Sequence, residues 1–303
     1  MHHYRISGLN VASEIALPGA KRRPAQTGRA EVRIRLAAVP RALSTGGMSG
    51  PDWQMAGESF LLRVPKVARF LVRGGREITV NLEPGATRHD ASAFVLGTAF
   101  GILLHQRGAL VLHASAVARN ENAIAICGPS GAGKSTLAAA LCQRGCAFVA
   151  DDLAVVGLDG GRQPVVLPDG RQLKLWSKAI GQLDLEDRKG DAVRVTLDKF
   201  HVAPDGNATA APRLAAVYVL REAGPTLNDG IEGLALPDAM RALDHQAYGP
   251  GLRAMIGRKA DLLAQSAAVL SHTKVFLLTR TRSFEHLADT TARVLAHWDS
   301  LTR

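Results

Sequence analysis

The chain has 303 residues, of which 47% are hydrophobic and 21% are charged, and its formal net charge is +10 at pH 7. These fractions are ordinary for a globular protein, and the length is enough for two units with sizeable cores. Aromatic residues make up only 5% of the chain. Because no base-stacking motif is visible either, the composition disfavours nucleic acid as a partner.

The cysteine usage and the apolar runs argue against a secreted or membrane protein. Cys127, Cys142 and Cys146 form neither a disulfide framework nor a C-x-x-C site, which suggests a reducing compartment. The opening residues lack the charged-then-apolar order of a signal peptide. The longest apolar stretch, residues 91–104, is too short to span a bilayer. We therefore expect a cytoplasmic protein with no membrane partner.

Residues 1–88 are predicted to form a small β-rich N-terminal domain. Short runs with partial alternation predict strands at 4–9, 31–36, 59–64, 68–72 and 77–82, and loops at 20–28 and 44–51. Basic side chains outnumber acidic ones by about two to one in this part. This surplus has two open interpretations, a solvated face or a docking surface for an acidic partner. The domain contains no catalytic constellation of its own.

Residues 89–303 are predicted to form a second domain with an α/β core, because strands alternate with helices. Asp90 is predicted to cap a helix that ends near Gln106. Further strands are predicted at 110–113, 115–119, 123–127, 147–150, 154–158, 164–167, 214–220 and 275–278. Helices are predicted at 136–142, 178–183, 238–244, 252–256, 258–271 and 285–298.

The most specific stretch fits the phosphate-binding (Walker A) pattern G-x-x-x-x-G-K-[ST]. It reads Gly128-Pro129-Ser130-Gly131-Ala132-Gly133-Lys134-Ser135 and is followed by Thr136, which opens the next helix. A strand before the loop and a helix after it aim backbone N–H groups and a helix dipole at one point. Lys134 is expected to reach the β- and γ-phosphates, and the Ser135 hydroxyl is expected to hold Mg²⁺. The loop therefore predicts a site for ATP and Mg²⁺.

A pair of carboxylates, Asp151-Asp152, follows the next apolar strand. An acidic pair so soon after the loop suits a kinase, in which one carboxylate accepts a proton from a hydroxyl and the other serves the metal. A solvated turn after a strand is the open alternative. His113 ends a strand predicted to run beside the loop strand, and by itself it would be assigned as a packed histidine.

Together, His113, the loop 128–135 and Asp151-Asp152 resemble the kinase domain of HPr kinase/phosphorylase in order and spacing. Residues 143–152 also resemble that family's segment between the loop and the acidic pair. The similarity is close over about residues 108–157. It implies an ATP-dependent protein-serine kinase, a P-loop core like those of HPr kinase and phosphoenolpyruvate carboxykinase, and a homo-oligomer.

The resemblance also implies a role for each matching residue. Asp151 is the general base, and Asp152 and Ser135 lie on the metal side. Lys134 binds phosphate, and His113 supports the catalytic carboxylate.

The chain departs from that family at two places. Its N-terminal part does not resemble the regulatory domain of HPr kinases, and the C-terminal half lacks their proline-glycine-arginine-asparagine run. Residues 4–9 and 174–176 are more similar to HPr-kinase-like enzymes of lasso-peptide gene clusters, which phosphorylate a serine of a precursor peptide. A serine-bearing precursor peptide is therefore the expected acceptor. The alternatives are an HPr(Ser) kinase/phosphorylase and a P-loop ATPase or switch protein without an acceptor.

Several further residues carry two interpretations each. Arg171 and Lys174 could neutralise phosphate charge or lie on the surface, and Glu222 could be a second metal-side carboxylate or a solvated one. His245 and Tyr248 could line a substrate cleft or pack in a turn. The surroundings of Lys199 lack the N/T-K-x-D order of a guanine reader, which favours ATP over GTP.

Overall fold

The computed structural model describes residues 1–24, 30–43, 47–194, 196–224, 226–257 and 259–301. Strands dominate before residue 88, and strands and helices alternate after it. The predicted mixed α/β class is therefore confirmed. No helix in the described parts of the chain is both long and apolar enough to cross a bilayer.

The first nine strands form one sheet in the order β3-β1-β2-β4-β9-β8-β7-β6-β5. Their bounds are β1 (His2–Ile6), β2 (Leu9–Ser13), β3 (Arg22–Arg23), β4 (Val32–Leu36), β5 (Met48–Gly50), β6 (Trp53–Ala56), β7 (Ser59–Val64), β8 (Ala68–Arg73) and β9 (Glu77–Leu82). The short edge strand β3 pairs with β1 in antiparallel register.

The predicted strand at 4–9 is wrong because it crosses a tight turn. Ser7 and Gly8 have φ angles of 49° and 79°, and they join β1 and β2 as an antiparallel hairpin. Two consecutive positive φ angles are typical of a two-residue hairpin turn. The dipeptide Ser-Gly was the available signal for this turn.

The other N-terminal predictions have mixed outcomes. Strands 59–64 and 77–82 are confirmed as β7 and β9, and strands 31–36 and 68–72 are confirmed within one residue. The loop predicted at 44–51 is wrong at its end, because β5 pairs there with β6. The loop predicted at 20–28 is wrong at residues 22–23, which form β3. Residues 25–28 of this loop and 44–46 of the other lie outside the described residues.

The helical segment after this sheet has three consecutive parts, α1 (Arg88–Phe94), a π-helical turn (Val95–Ala99) and α2 (Phe100–Gln106). Thr87, not Asp90, is the N-cap. The Asp90 amide donates to Thr87 Oγ1 at 3.1 Å and the Thr87 amide donates to Asp90 Oδ2 at 3.2 Å. This reciprocal pair is a capping box, in which the acidic residue occupies the third helical position. The cap predicted at Asp90 is therefore three residues too late.

The second sheet has the order β10-β14-β15-β19-β12-β11-β13, with β21 beside β19 and β20 beside β21. Its strands are β10 (Leu110–Leu112), β11 (Ala114–Arg119), β12 (Asn122–Cys127), β13 (Ala147–Ala150), β14 (Ala154–Leu158), β15 (Pro164–Val166), β19 (Arg213–Glu222), β20 (Gly230–Gly233) and β21 (Lys274–Arg280).

Strand direction places the ends of several strands at one edge of this sheet. β11 runs antiparallel to both β12 and β13, while β19 runs parallel to β12 and β21 runs parallel to β19. The carboxyl ends of β12, β13, β19 and β21 and the amino end of β11 therefore share an edge. Ligands of α/β proteins bind at such edges.

A third, small sheet contains β16 (Leu173–Trp176), β18 (Lys199–Val202) and β17 (Lys189–Ala192) in that order. The remaining helices are α3 (Lys134–Gln143), α4 (Ser177–Gln182), α5 (Leu236–Gln246), α6 (Pro250–Ile256), α7 (Lys259–Leu270) and α8 (Leu287–Leu301). All six lie where helices were predicted, with shifted ends; Arg258, the first residue of one predicted helix, lies outside the described residues. Strands β16, β17, β18 and β20 were not predicted.

One hydrophobic cluster joins the N-terminal sheet to the rest of the chain. It contains Ile6 and Phe70 from that sheet, Phe100 from α2, and Val111 and Val155 from the second sheet, all buried. The domain boundary at residue 88 stays a prediction, since the core on both sides of it is shared.

Residues 169–172 form a strap between the N-terminal sheet and the second sheet. Its backbone bonds on both sides, and the Gly170 φ angle is +71°. A Cβ atom at Gly170 would collide with the Arg5 carbonyl oxygen, so the close approach requires glycine. The strap's hydrogen bonds are Ser7 N to Asp169 O (3.1 Å), Lys21 N to Gly170 O (3.1 Å), Gln172 N to Gly19 O (2.8 Å) and Asp169 N to Val149 O (2.8 Å).

We predict that Gly170→Ala destabilises the protein more than Gly85→Ala does. Gly85 also has a positive φ angle, but a Cβ atom there meets nothing within 4 Å, so its replacement costs only the left-handed backbone, roughly 1–2 kcal/mol. The collision at Gly170 adds about 1–3 kcal/mol. Urea unfolding of both variants measures the difference, and equal losses would contradict the tight contact at the strap.

Candidate active site

The loop 128–135 connects β12 to α3 at the shared edge, so the predicted strand and helix around it are confirmed. Gly128, Gly131 and Gly133 have φ angles of 147°, 79° and 86°, a region open to glycine and costly for other residues. A Cβ atom at Gly133 would also meet the Arg280 guanidinium. The glycines therefore let the backbone fold into a tight cradle. The nine residues predicted to bind nucleotide, 128–136, lie together in this loop and the first turn of α3.

The Lys134 side chain is buried inside the loop. Its ammonium donates to the Gly128 and Pro129 carbonyl oxygens at 2.9 and 3.0 Å. An ammonium has three donors, so these two bonds leave one for a phosphate oxygen. Burial lowers the pKa of Lys134, while the nearby carboxylates of Asp151 and Asp152 act in the opposite direction. The loop thus holds a positive charge beside the acidic pair.

Asp151 is fully enclosed and its oxygens are nearly saturated with donors. Asp151 is only 2% exposed. Its Oδ1 accepts hydrogen bonds from Ser115 Oγ at 2.6 Å and from Ser135 Oγ at 2.8 Å. Its Oδ2 accepts from the Lys174 backbone N–H at 3.0 Å. A carboxylate with three fixed donors is held in one orientation. Asp151 is therefore a rigid oxygen donor beside the loop hydroxyl.

Asp152 has a different environment, although it is the next residue. Its side chain is 32% exposed, its Oδ2 accepts from the Lys174 ammonium at 2.7 Å, and its Oδ1 lies 3.9 Å from His113 Nε2. The Lys174 ammonium holds the pKa of Asp152 below its usual range, against the opposing effect of burial. Its φ angle is +70°, which is uncommon outside glycine and points to a functional constraint. The two carboxylates thus diverge, one enclosed and one open.

His113 lies between β10 and β11, at the edge where the loop and the acidic pair meet. The strand that precedes it, β10, pairs with β14, so the prediction that this strand runs beside the loop strand β12 is wrong. Burial lowers the pKa of His113, with the Lys134 charge as the next cause, so the imidazole is neutral at pH 7. Its ring centroid lies 6.0 Å from that of Tyr248. Tyr248 in turn packs against Gly101 and close to Gly97 in the π-helical segment, and π-bulges of this kind are frequent at functional sites.

Sequence reasoning missed two residues that support the site. Ser115 on β11 donates to Asp151, and Arg280, the last residue of β21, donates from Nη2 to the Ala132 carbonyl oxygen at 2.6 Å. Arg280 is buried, so it supports the loop from beneath. The sequence could have indicated these two residues only by their position, because each lies near the end of a strand at the shared edge of the sheet.

The remaining candidates fall in different places. Arg171 is buried and pairs with Asp169 at 2.7 Å, so neither of its two interpretations describes it. Glu222 ends β19 at the shared edge and pairs with Arg282 at 4.0 Å. His245 is exposed on α5, while Tyr248 reaches His113. The Lys199 ammonium lies 6.0 Å from the Trp176 ring centroid.

The oxygen donors at the loop fit a magnesium ion that is shared with phosphates. Among the described residues, no group of three or more His, Cys, Asp or Glu side chains is arranged to hold a metal. Ser135 Oγ and the Asp151 carboxylate are hard oxygen donors in direct contact. Mg²⁺ is usually held by one or two protein carboxylates, with phosphates and waters completing its shell.

Comparisons with known proteins found similarity to solved structures but not to known sequences. No protein-family model matches the chain, and no curated protein sequence matches it. Among solved structures, the chain is similar to an HPr(Ser) kinase/phosphatase from Coxiella burnetii, with a TM-score of 0.35 and 12% identity over 64% of this chain and 99% of that one. At this similarity, function has to be inferred from the side chains of this chain.

We predict that Lys174→Met moves the acidic limb of any activity profile to higher pH. Removal of the ammonium lets the pKa of Asp152 rise, so Asp152 takes up its proton at a higher pH than in the unchanged protein. Lys174→Arg keeps the charge and serves as the control. The pH dependence of kcat/KM measures the shift, and overlapping profiles for all three proteins would show that Lys174 does not tune an essential carboxylate.

Proposed function

We propose that the chain is an ATP-dependent kinase that transfers a phosphoryl group to a serine hydroxyl. The observation that carries this proposal is the split between two adjacent carboxylates beside a glycine-rich loop. Asp151 is enclosed and bonded to Ser135, whereas Asp152 is open and held by Lys174. A kinase needs both kinds of group, one for the metal side and one for the acceptor side.

The loop would bind the phosphates of ATP through its backbone N–H groups, the amino end of α3 and Lys134. Mg²⁺ would be held by Ser135 and Asp151, and when bound it neutralises charge on the transferred phosphoryl group. The fit depends on the three positive-φ glycines and on the hydroxyl–carboxylate contact at 2.8 Å.

We assign the general base to Asp152, which exchanges the roles expected from the sequence. Oδ1 of Asp151 already accepts two hydroxyl donors inside the protein, so little of it faces an incoming hydroxyl. The Asp152 side chain is 32% exposed, and its Oδ1 lies 3.9 Å from His113 Nε2. The serine proton would pass to Asp152, while Lys174 keeps that carboxylate ionised and His113 orients it. Asp151 as the base is the alternative.

The proposed acceptor is a serine of a ribosomal precursor peptide. The basic N-terminal domain supports a peptide acceptor, as does the resemblance of residues 4–9 and 174–176 to kinases of lasso-peptide clusters. HPr is the second candidate acceptor. A nucleotide-dependent ATPase or switch with no peptide acceptor is the third candidate, in which Asp152 would face a water molecule instead of a serine hydroxyl.

We predict that Asp152→Asn and Asp151→Asn fail in different ways. Asp152→Asn should keep ATP affinity and lose roughly 10²–10⁴ in kcat, the usual contribution of a general base. Asp151→Asn should weaken Mg²⁺-dependent ATP binding by about 10–100-fold, because it removes a metal-side oxygen.

Calorimetric titration with ATP and Mg²⁺ measures the binding, and mass spectrometry of a serine peptide measures the transfer. Circular dichroism confirms that both variants remain folded. The opposite pattern, in which Asp151→Asn binds ATP normally and loses transfer while Asp152→Asn binds ATP poorly, would return the base to Asp151. Near-normal transfer by both variants would contradict the proposed function.

A further inference from the structure

A groove runs along the seam between the N-terminal sheet and the second sheet. One wall comes from residues 5–23 and the other from residues 203–211, and Phe148 and Leu167 form part of its floor. We call it the seam groove; its volume is about 580 Å³. This volume is in the range of cavities that bind ligands.

The charged residues that line the seam groove are all basic. Arg5, Lys21 and Arg23 are exposed on the N-terminal wall, and the opposite wall is built from small and neutral residues. No carboxylate lines the seam groove within the described part of the chain. None of these three cations has an ion pair or side-chain hydrogen bond with any described residue. Elsewhere on the surface many cations are paired, as in Arg69–Glu83 and Arg188–Asp205.

A second cavity of about 440 Å³ extends the basic surface. Arg23 lines both cavities, and the second one adds Arg33 and Arg35. Its carboxylate, Glu14, accepts from the Leu36 backbone N–H at 2.8 Å, so it neutralises none of the arginines by direct contact. The cationic surface thus continues past the seam groove along the N-terminal sheet.

The backbone beside the groove is also open to a partner. β3, which contains Arg22 and Arg23, is the terminal strand of its sheet, and within the described part of the chain it pairs with β1 alone. A free strand edge can accept an extended peptide through main-chain hydrogen bonds, with side-chain contacts adding specificity. A peptide added at this edge would place its side chains among the unpaired cations.

The groove reaches the candidate active site through two short stretches of chain. Val149 and Gln172 both line the seam groove. Val149 lies two residues before Asp151, and Gln172 lies two residues before Lys174. Two residues of extended chain span roughly 7 Å. A peptide in the seam groove therefore lies close enough for its neighbouring residues to reach Asp152.

We propose that the seam groove binds an acidic, extended peptide segment, through Arg5, Lys21, Arg23 and the open edge of β3. Nucleic acid fits less well, because the aromatic residues that line the two cavities, Tyr4 and Phe148, are both buried and offer no stacking surface. That this segment is part of the acceptor peptide rests on the proposed function. That the seam groove binds an acidic peptide is independent of the proposed function.

The test uses a fluorescent octaglutamate peptide and the full chain without nucleotide. Anisotropy should show binding that weakens as salt rises, and Lys21→Glu/Arg23→Glu should weaken it by roughly tenfold or more, because two attractive charges become repulsive. The control is Lys66→Glu/Arg73→Glu, which makes the same charge change on two exposed residues at opposite ends of β8, Lys66 in the turn before it and Arg73 as its last residue. β8 lies four strand spacings from β1, roughly 19 Å, so the control should bind like the unchanged protein.

Equal affinity in all three proteins would overturn the proposal. Tighter binding of a single-stranded oligonucleotide of the same charge, reduced by the same groove substitutions, would also overturn it.

A second readout separates this proposal from the kinase assignment. With a serine peptide that carries an acidic segment, the groove variant should raise KM and leave kcat and ATP affinity unchanged. Peptide binding that follows the groove substitutions, with no phosphate transfer by any protein, would support the groove and contradict the kinase. Transfer with an unchanged KM in the groove variant, together with unchanged peptide affinity, would contradict the groove alone.

Discussion

The buried carboxylate of Asp151 is the constraint on which the site depends. An ionised carboxylate removed from water costs several kcal/mol unless donors replace its hydration. Here the donors come from three separate parts of the chain, Ser115 on β11, Ser135 on α3 and the Lys174 backbone on β16. The second sheet, the loop helix and the small sheet must therefore be assembled together before Asp151 is satisfied.

Lys174 connects the two carboxylates. Its backbone N–H binds Asp151 and its ammonium binds Asp152, so displacement of β16 would disturb both groups. The strap 169–172 precedes β16 directly and bonds to the N-terminal sheet through backbone groups. The N-terminal sheet is thus connected to the site through a few consecutive residues of the chain, from the strap to Lys174. This arrangement gives the sheet a structural effect on the site although it supplies no catalytic side chain.

Local features of the site could be predicted from the sequence, and features that depend on distant contacts could not. The loop 128–135 with its strand and helix was predictable because glycine spacing and flanking periodicity are local signals. Asp151 and Asp152 were also found, but their environments differ through Ser115 and Lys174, which are distant in sequence. Short strands such as β3 and β18 escaped prediction because pairing across the sheet, not their own composition, stabilises them. The π-helical turn at Val95–Ala99 left no recognised signal either.

The most direct test of the central claim is the fate of the γ-phosphate of ATP. The full chain is incubated with Mg²⁺, γ-labelled ATP and an acidic peptide that contains one serine, beside the same peptide with alanine in its place. The account predicts label on the serine peptide, none on the alanine peptide and little free phosphate. Label released only as inorganic phosphate, at the same rate with either peptide, would contradict it and assign the site to ATP hydrolysis without an acceptor.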